Sequence, residues 1–109
     1  MSKVTFNLQA SPTFTVPVEI PRHGEDPATI KVTFKHKTRE GLDDFLRRAS
    51  RSTADQDFDL CSEILDSWEG PDMPFGKEAF DLLVDNYQGA MRALVSTYTA
   101  ELLQARRKN

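Results

Sequence analysis

The sequence predicts an α+β fold, with about three N-terminal antiparallel strands followed by about four helices packed on the sheet. Up to His36, apolar residues alternate with polar ones, which is typical of half-buried strands. After His36 the apolar spacing becomes three and four residues, which is typical of helices. A length of 109 residues favours one domain, with strands within 1–36 and helices within 38–107.

The strand prediction depends on three alternating apolar runs. A period of two places each run on one face of a sheet. Pro17 lies inside the second run, and because proline has no N–H, that strand is expected at an edge or a bulge. Two prolines, a glycine and charges predict an exposed hairpin loop over 21–27. The runs are Val4, Phe6, Leu8; Phe14, Val16, Val18, Ile20; and Ile30, Val32, Phe34.

Two helices are predicted after the strands. Thr38 is placed to cap the first. Thr53 and Gln56 have capping-box spacing and open the second, which Gly70 and Pro71 end. The first helix carries the apolar positions Leu42, Phe45, Leu46 and Ala49. The second carries the stripe Phe58, Cys61, Ile64, Leu65 and Trp68.

Two further helices are separated by a turn over 86–89. The third presents Phe80, Leu83, Val84 and Tyr87 on one face. The fourth carries Met91, Leu94, Val95, Tyr98, Leu102 and Ala105 along one stripe. From these stripes we expect seven residues to be buried in the core: Phe58, Cys61, Leu65, Leu83, Leu94, Val95 and Leu102.

Composition limits where the protein works. The formal net charge is −3, so the whole chain is not an electrostatic trap for nucleic acid. No apolar run approaches the ~20 residues of a membrane span, and the first ten residues lack a signal-peptide core. A single cysteine cannot form an internal disulfide, which fits a reducing cytoplasm. We therefore expect no membrane and no nucleic-acid partner.

No set of residues suits catalysis or metal binding. His23 and His36 are far apart, and no cluster of metal ligands has a recognisable spacing. Cys61 lies on an apolar helix face, where burial makes a thiol inert. Acidic residues early in the second helix are explained by the helix dipole. The sequence thus predicts a protein that is not an enzyme and uses no cofactor.

Two basic clusters have two interpretations. One holds Arg47, Arg48 and Arg51, and the other lies at 106–108. Both fall at predicted helix C-termini, where cations complement the helix dipole. Nucleic-acid binding is the alternative, but it would require a broader basic face.

Four aromatic residues are candidate partner-binding residues. Trp68 is the only tryptophan and lies beside a Gly-Pro turn. In one interpretation its ring covers the core and its indole N–H donates a hydrogen bond to a turn carbonyl. In the other, its ring anchors a protein interface. Phe75, Tyr87 and Tyr98 have the same two interpretations.

The C-terminal half resembles the phage tail assembly chaperones of long-tailed phages and prophages. The motif Ile64-Leu65-Asp66-Ser67-Trp68-Glu69-Gly70 is followed by an acidic turn and by the aromatic helix start Phe75-Gly76-Lys77-Glu78. Leu82, Leu83 and Tyr87 and a long final helix complete the likeness. Gly76 departs from the pattern, since a capping Ser or Thr is more typical there.

The resemblance implies a function in tail assembly. Proteins of this family bind the tape measure protein during assembly in the host bacterial cytoplasm and are absent from the finished particle. The tail tube protein is a second partner that the resemblance allows, and cooperative coating of the target leads us to expect a homo-oligomer. The alternative is a small interaction or regulatory domain of a phage or bacterial operon, with nucleic-acid binding through the terminal arginines.

The resemblance also implies a longer product made by ribosomal frameshifting near the end of the short one. Arg107-Lys108-Asn109 is compatible with a slippery heptamer at the codon level. It is equally compatible with a polar helix end.

Overall fold

The computed structural model describes residues 5–104 and has an α+β fold, which confirms the predicted class. A three-stranded antiparallel sheet carries helices on one face. The basic segment 106–109, Val4 and Ala105 lie outside the described residues. In chain order the elements are β1 Thr13–Arg22, β2 Glu25–Lys35, α1 Arg39–Arg51, a 3-10 turn Ala54–Gln56, α2 Asp57–Cys61, β3 Leu65–Glu69, α3 Lys77–Asn86 and α4 Ala90–Gln104.

The strand order is β1-β2-β3, so β1 lies at an edge as Pro17 predicts. The His36 N–H donates to the Pro12 carbonyl over 2.9 Å, and hydrogen-bonded pairs alternate along an antiparallel ladder. Pro17, opposite Lys31, therefore falls at a position whose missing N–H faces the free edge. Proline there removes a donor that another strand could use.

The β1–β2 connection is tighter than the predicted loop over 21–27. The strands continue to Arg22 and resume at Glu25, so only two residues turn the chain. Gly24 has φ +72°, a conformation that glycine adopts without steric penalty. A register shift between Ile20 and Arg22 marks the irregularity next to the turn.

The third strand is not where the sequence predicted it. Phe6 and Leu8 are 82% and 86% exposed and lie outside any strand. The sheet is completed instead by β3, so the placement of all strands within 1–36 is wrong. The predicted helix to Trp68 ends at Cys61, and Gly70 follows a strand rather than a helix.

A bulge explains why β3 resembles a helix in sequence. Thr33 pairs with Ser67 and Phe34 with Leu65, which leaves Asp66 as an extra residue. The bulge brings Leu65 and Trp68 to the same buried face although they are three residues apart. A spacing of three is the helical spacing, so the period alone pointed to the wrong element.

Both predicted helix starts are present. Thr38 caps α1 by accepting a hydrogen bond from the Gly41 N–H over 3.2 Å. At the second start, the Thr53 N–H donates to Gln56 Oε1 over 3.0 Å within a capping box. That start opens a 3-10 turn and the short α2 rather than a long helix.

One hydrophobic core joins the sheet to the helices. Of the seven predicted core residues, Cys61, Leu65 and Leu94 are buried. The other four are partly buried and pack against the core: Phe58, Leu83, Val95 and Leu102. The largest fully buried side chains are Tyr98, Phe34, Phe45 and Phe80.

Cys61 is an inert core residue, as predicted. Its Sγ donates to Met91 Sδ over 3.2 Å. Burial, together with the nearby Asp57 charge, raises the pKa of the Cys61 thiol to about 12. The thiol therefore stays protonated near neutral pH and is a poor nucleophile.

Replacing Leu94 by alanine should lower the free energy of unfolding by about 2–5 kcal/mol, because its side chain is fully buried. Chemical denaturation followed by circular dichroism measures this. Leu103→Ala is the matched control, since Leu103 lies on the same helix but is 67% exposed. An L94A midpoint equal to that of the wild type would contradict the helix packing described above.

Candidate partner-binding surfaces

Trp68 is buried in β3, against the neighbouring strand β2. Its indole Nε1–H donates to the Met73 carbonyl over 2.9 Å, which is the turn hydrogen bond that the first interpretation predicted. The bond ties β3 to the segment that leads into α3. Trp68 thus holds the end of β3 against the segment around Met73.

Phe75 packs edge-on against Trp68, with ring centroids 5.2 Å apart and an interplanar angle of 74°. The Phe58 ring also lies close to Phe75, with ring centroids 5.9 Å apart. Edge-to-face pairs of this kind add stability beyond the area that they bury. Phe75, which is itself partly buried, therefore helps to hold the Trp68 ring in place.

Tyr98 is a core residue and not an interface residue, which corrects the prediction for this position. Its ring is fully buried and lies 5.1 Å from the ring of Phe34. Its hydroxyl donates to the Lys35 carbonyl over 2.7 Å, and burial raises its pKa to about 12. A partner could not reach the ring of Tyr98 while the domain remained folded.

Tyr87 lies just after α3, is 40% exposed and lines an open groove between the sheet and α3. We call this the sheet–α3 groove; its volume is about 450 Å³. Trp68 lines it too, so two of the four predicted residues meet there, while Phe75 supports Trp68. Its apolar lining consists of Ile20, Ala28, Ile30, Trp68, Pro71, Met73, Ala79, Leu82, Leu83 and Tyr87.

The sequence stripes missed Leu82, which is 47% exposed in the sheet–α3 groove. The available signal was the Leu82-Leu83 pair, because adjacent helix residues point in directions about 100° apart and one of the two can then face outward. Ala79 and Phe80 fill the buried face of α3. Leu82 is therefore left on the outer side, beside the groove.

A second groove lies between α1 and α4, and we call it the α1–α4 groove. It has mixed polarity, with Asp57 and Arg92 among its lining residues. Leu103 is its most exposed apolar side chain. Its apolar lining is Leu46, Ala49, Met91, Val95, Ala100 and Leu103.

Arg48 of the first basic cluster has a structural role. Its guanidinium makes two hydrogen bonds to Glu63, of 2.7 and 2.8 Å, and one of 2.9 Å to Asp44. The hydrogen bonds from Arg48 hold the pKa of the Glu63 carboxyl below its usual value. Lys37 also approaches Glu63, at 3.5 Å. These contacts join α1 to the turn after α2.

Residues 5–104 contain neither a membrane-spanning helix nor a cluster of metal ligands. None of the helices found there is long and apolar enough to cross a membrane. Nor does that part of the chain bring three or more His, Cys, Asp or Glu side chains together as ligands for a metal ion.

Comparison with known proteins identifies the family. The chain matches the family described as phage tail assembly chaperone over residues 1–109. No curated protein and no solved structure matched it. The match extends over β1, β2 and α1, which precede the C-terminal half that carries the sequence resemblance, as well as over the rest of the chain. The chain belongs to the phage tail assembly chaperone family.

Proposed function

We propose that this protein binds the tape measure protein, keeps it soluble during tail assembly and is absent from the finished particle. The observation that carries the proposal is the family match over residues 1–109. A tail assembly chaperone acts on a protein partner, and the tape measure protein is the one whose chemistry most needs protection.

The physical reason lies in the partner's exposed apolar surface. A tape measure protein is long and mostly helical, and before the tail tube encloses it, its apolar helix faces are open to aggregation. A small domain with apolar grooves can cover such faces, helix in groove. Modest affinity at each site would let the chaperone leave as the tube forms. The tail tube protein is a second candidate partner at that step.

We propose that Trp68 and Tyr87 contribute to the partner-binding surface, with Phe75 holding the Trp68 ring in place. Tyr87 is exposed enough for direct contact, whereas Trp68 forms part of the groove wall. We also propose that the protein works in the host bacterial cytoplasm and that copies of the chain self-associate. Several copies could then cover one long partner cooperatively.

Co-expression of the tape measure protein with and without this chain tests the function. We expect the soluble fraction of the tape measure protein to rise when the chain is present, and the two proteins to co-purify. Equal solubility without co-purification would contradict the proposal. Salt-sensitive retention of the chain on DNA would instead favour the regulatory alternative.

A further inference from the structure

The sheet–α3 groove has the shape of a preformed docking site. Its wall is held by the hydrogen bond from the Trp68 indole to the Met73 carbonyl, and Phe75 packs against the Trp68 ring. Gly70, at φ +123°, lets the backbone lie close to Ile30 on β2. A groove fixed in this way loses little side-chain freedom when it binds a ligand.

One acidic side chain lines the groove, and two more lie on α3 beside Leu82. Asp72 lines it directly. On α3, Glu78, Leu82 and Asp85 are four and three residues apart, so both carboxylates flank exposed Leu82 on one side of the helix. None of the salt bridges within residues 5–104 includes Asp72, Glu78 or Asp85. The negative charge of these carboxylates is therefore available to a ligand.

The one cation in the groove lining is already engaged. Arg22 pairs with Glu25 at 3.2 Å, and its Nε donates to the Asp26 carbonyl over 2.7 Å. The α1–α4 groove also has one acidic and one basic lining residue, Asp57 and Arg92, but none of the salt bridges within residues 5–104 includes Arg92. With Arg22 neutralised by Glu25, the sheet–α3 groove keeps the negative charge of Asp72 in its lining and of Glu78 and Asp85 beside Leu82, whereas the α1–α4 groove keeps the cation Arg92.

We propose that the sheet–α3 groove binds an amphipathic helix of the tail protein partner whose apolar stripe is flanked by Lys or Arg. The inference rests on the proposed function and adds the surface and the chemistry of the ligand. Apolar side chains of the helix enter beside Leu82 and Tyr87, and its cations meet the carboxylates of Asp72, Glu78 and Asp85. Opposite charges around an apolar contact fix orientation and raise the association rate.

Synthetic peptides of about 18 residues, or five helical turns, provide the probe. One carries a leucine stripe flanked by lysines, a second has glutamates in place of the lysines, and a third is the first in scrambled order. Trp68 is the only tryptophan of the chain and lines the groove, so its fluorescence reports binding of tryptophan-free peptides. We expect the lysine peptide to bind, more weakly as salt rises, and the other two to bind much less.

Three variants of the full chain test the surface. Leu82→Arg should weaken binding of the lysine peptide by roughly tenfold or more, because it removes an apolar contact and adds a like charge. Leu103→Arg, in the α1–α4 groove, is the matched control and should leave binding unchanged. The double variant Glu78→Lys with Asp85→Lys, at exposed positions, should reverse the preference toward the glutamate peptide.

Several results would overturn the inference. They are equal binding of the lysine and glutamate peptides, an L103R effect as large as that of L82R, or no reversal in the double variant. A wild-type dimer that L82R converts to monomer would assign the groove to a second copy of the chain. If none of the peptides binds while the wild-type chain still solubilises the tape measure protein, the inference is wrong and the proposed function stands. If the wild-type chain does not solubilise the tape measure protein, the function fails independently.

Discussion

Replacing Tyr98 by alanine should lower the free energy of unfolding by about 3–5 kcal/mol, the usual range for truncating a buried aromatic side chain. The ring of Tyr98 lies between the sheet and the helices, 5.1 Å from Phe34 and 6.3 Å from Phe45. Its loss would leave a cavity that rigid neighbours cannot fill. Chemical denaturation measures the effect.

Tyr98→Phe separates packing from hydrogen bonding. Phenylalanine keeps the ring contacts but removes the hydroxyl that donates to the Lys35 carbonyl over 2.7 Å. We expect a loss of about 1 kcal/mol, which is typical of one hydrogen bond. Equal losses in the two variants would show that the hydrogen bond, rather than packing, dominates at this position.

Replacing Gly70 by alanine should lower the free energy of unfolding by roughly 2–6 kcal/mol, from two causes. At φ +123° an L-residue is strained, by about 1–3 kcal/mol. An added Cβ would also lie 3.1 Å from Ile30 Cγ2, and overpacking adds roughly 1–3 kcal/mol. Ile30 is buried in the central strand, so it has little room to move.

Gly24→Ala is the matched control for the Gly70 variant. Gly24 also has a positive φ, of +72°, but an added Cβ would meet nothing within 4 Å. We expect a loss of about 1–2 kcal/mol, from backbone strain alone. If both alanine variants lost the same stability, contact with Ile30 would not be a reason for glycine at position 70.

Local signals in the sequence predicted much of the fold. Alternation gave the β1–β2 hairpin, Pro17 placed β1 at an edge, and Thr38 gave the start of α1. Each of these depends on neighbouring residues or on one side chain. Strand β3 was missed because its bulge at Asp66 gives Leu65 and Trp68 a helical spacing, and only pairing with β2 distinguishes a bulged strand from a helix.

The candidate site was less predictable for a related reason. The sheet–α3 groove is built from β1, β2, the end of β3 and α3, which meet only in the folded chain. The sequence indicated that Trp68 and Tyr87 were unusual, but not that they line the same groove. Tyr98 had the same two interpretations from sequence as Trp68 and Tyr87. In the folded chain its ring packs against Phe34 and is fully buried, so it belongs to the core.

The most direct test of the central claim is the fraction of tape measure protein that stays in the supernatant when it is co-expressed with the wild-type chain, L82R or L103R. Each chaperone variant should first be shown to be folded and expressed at the same level. We predict high solubility of the tape measure protein with the wild-type chain and L103R, and a marked fall with L82R. A tape measure protein that is equally soluble with no chaperone at all would contradict the claim.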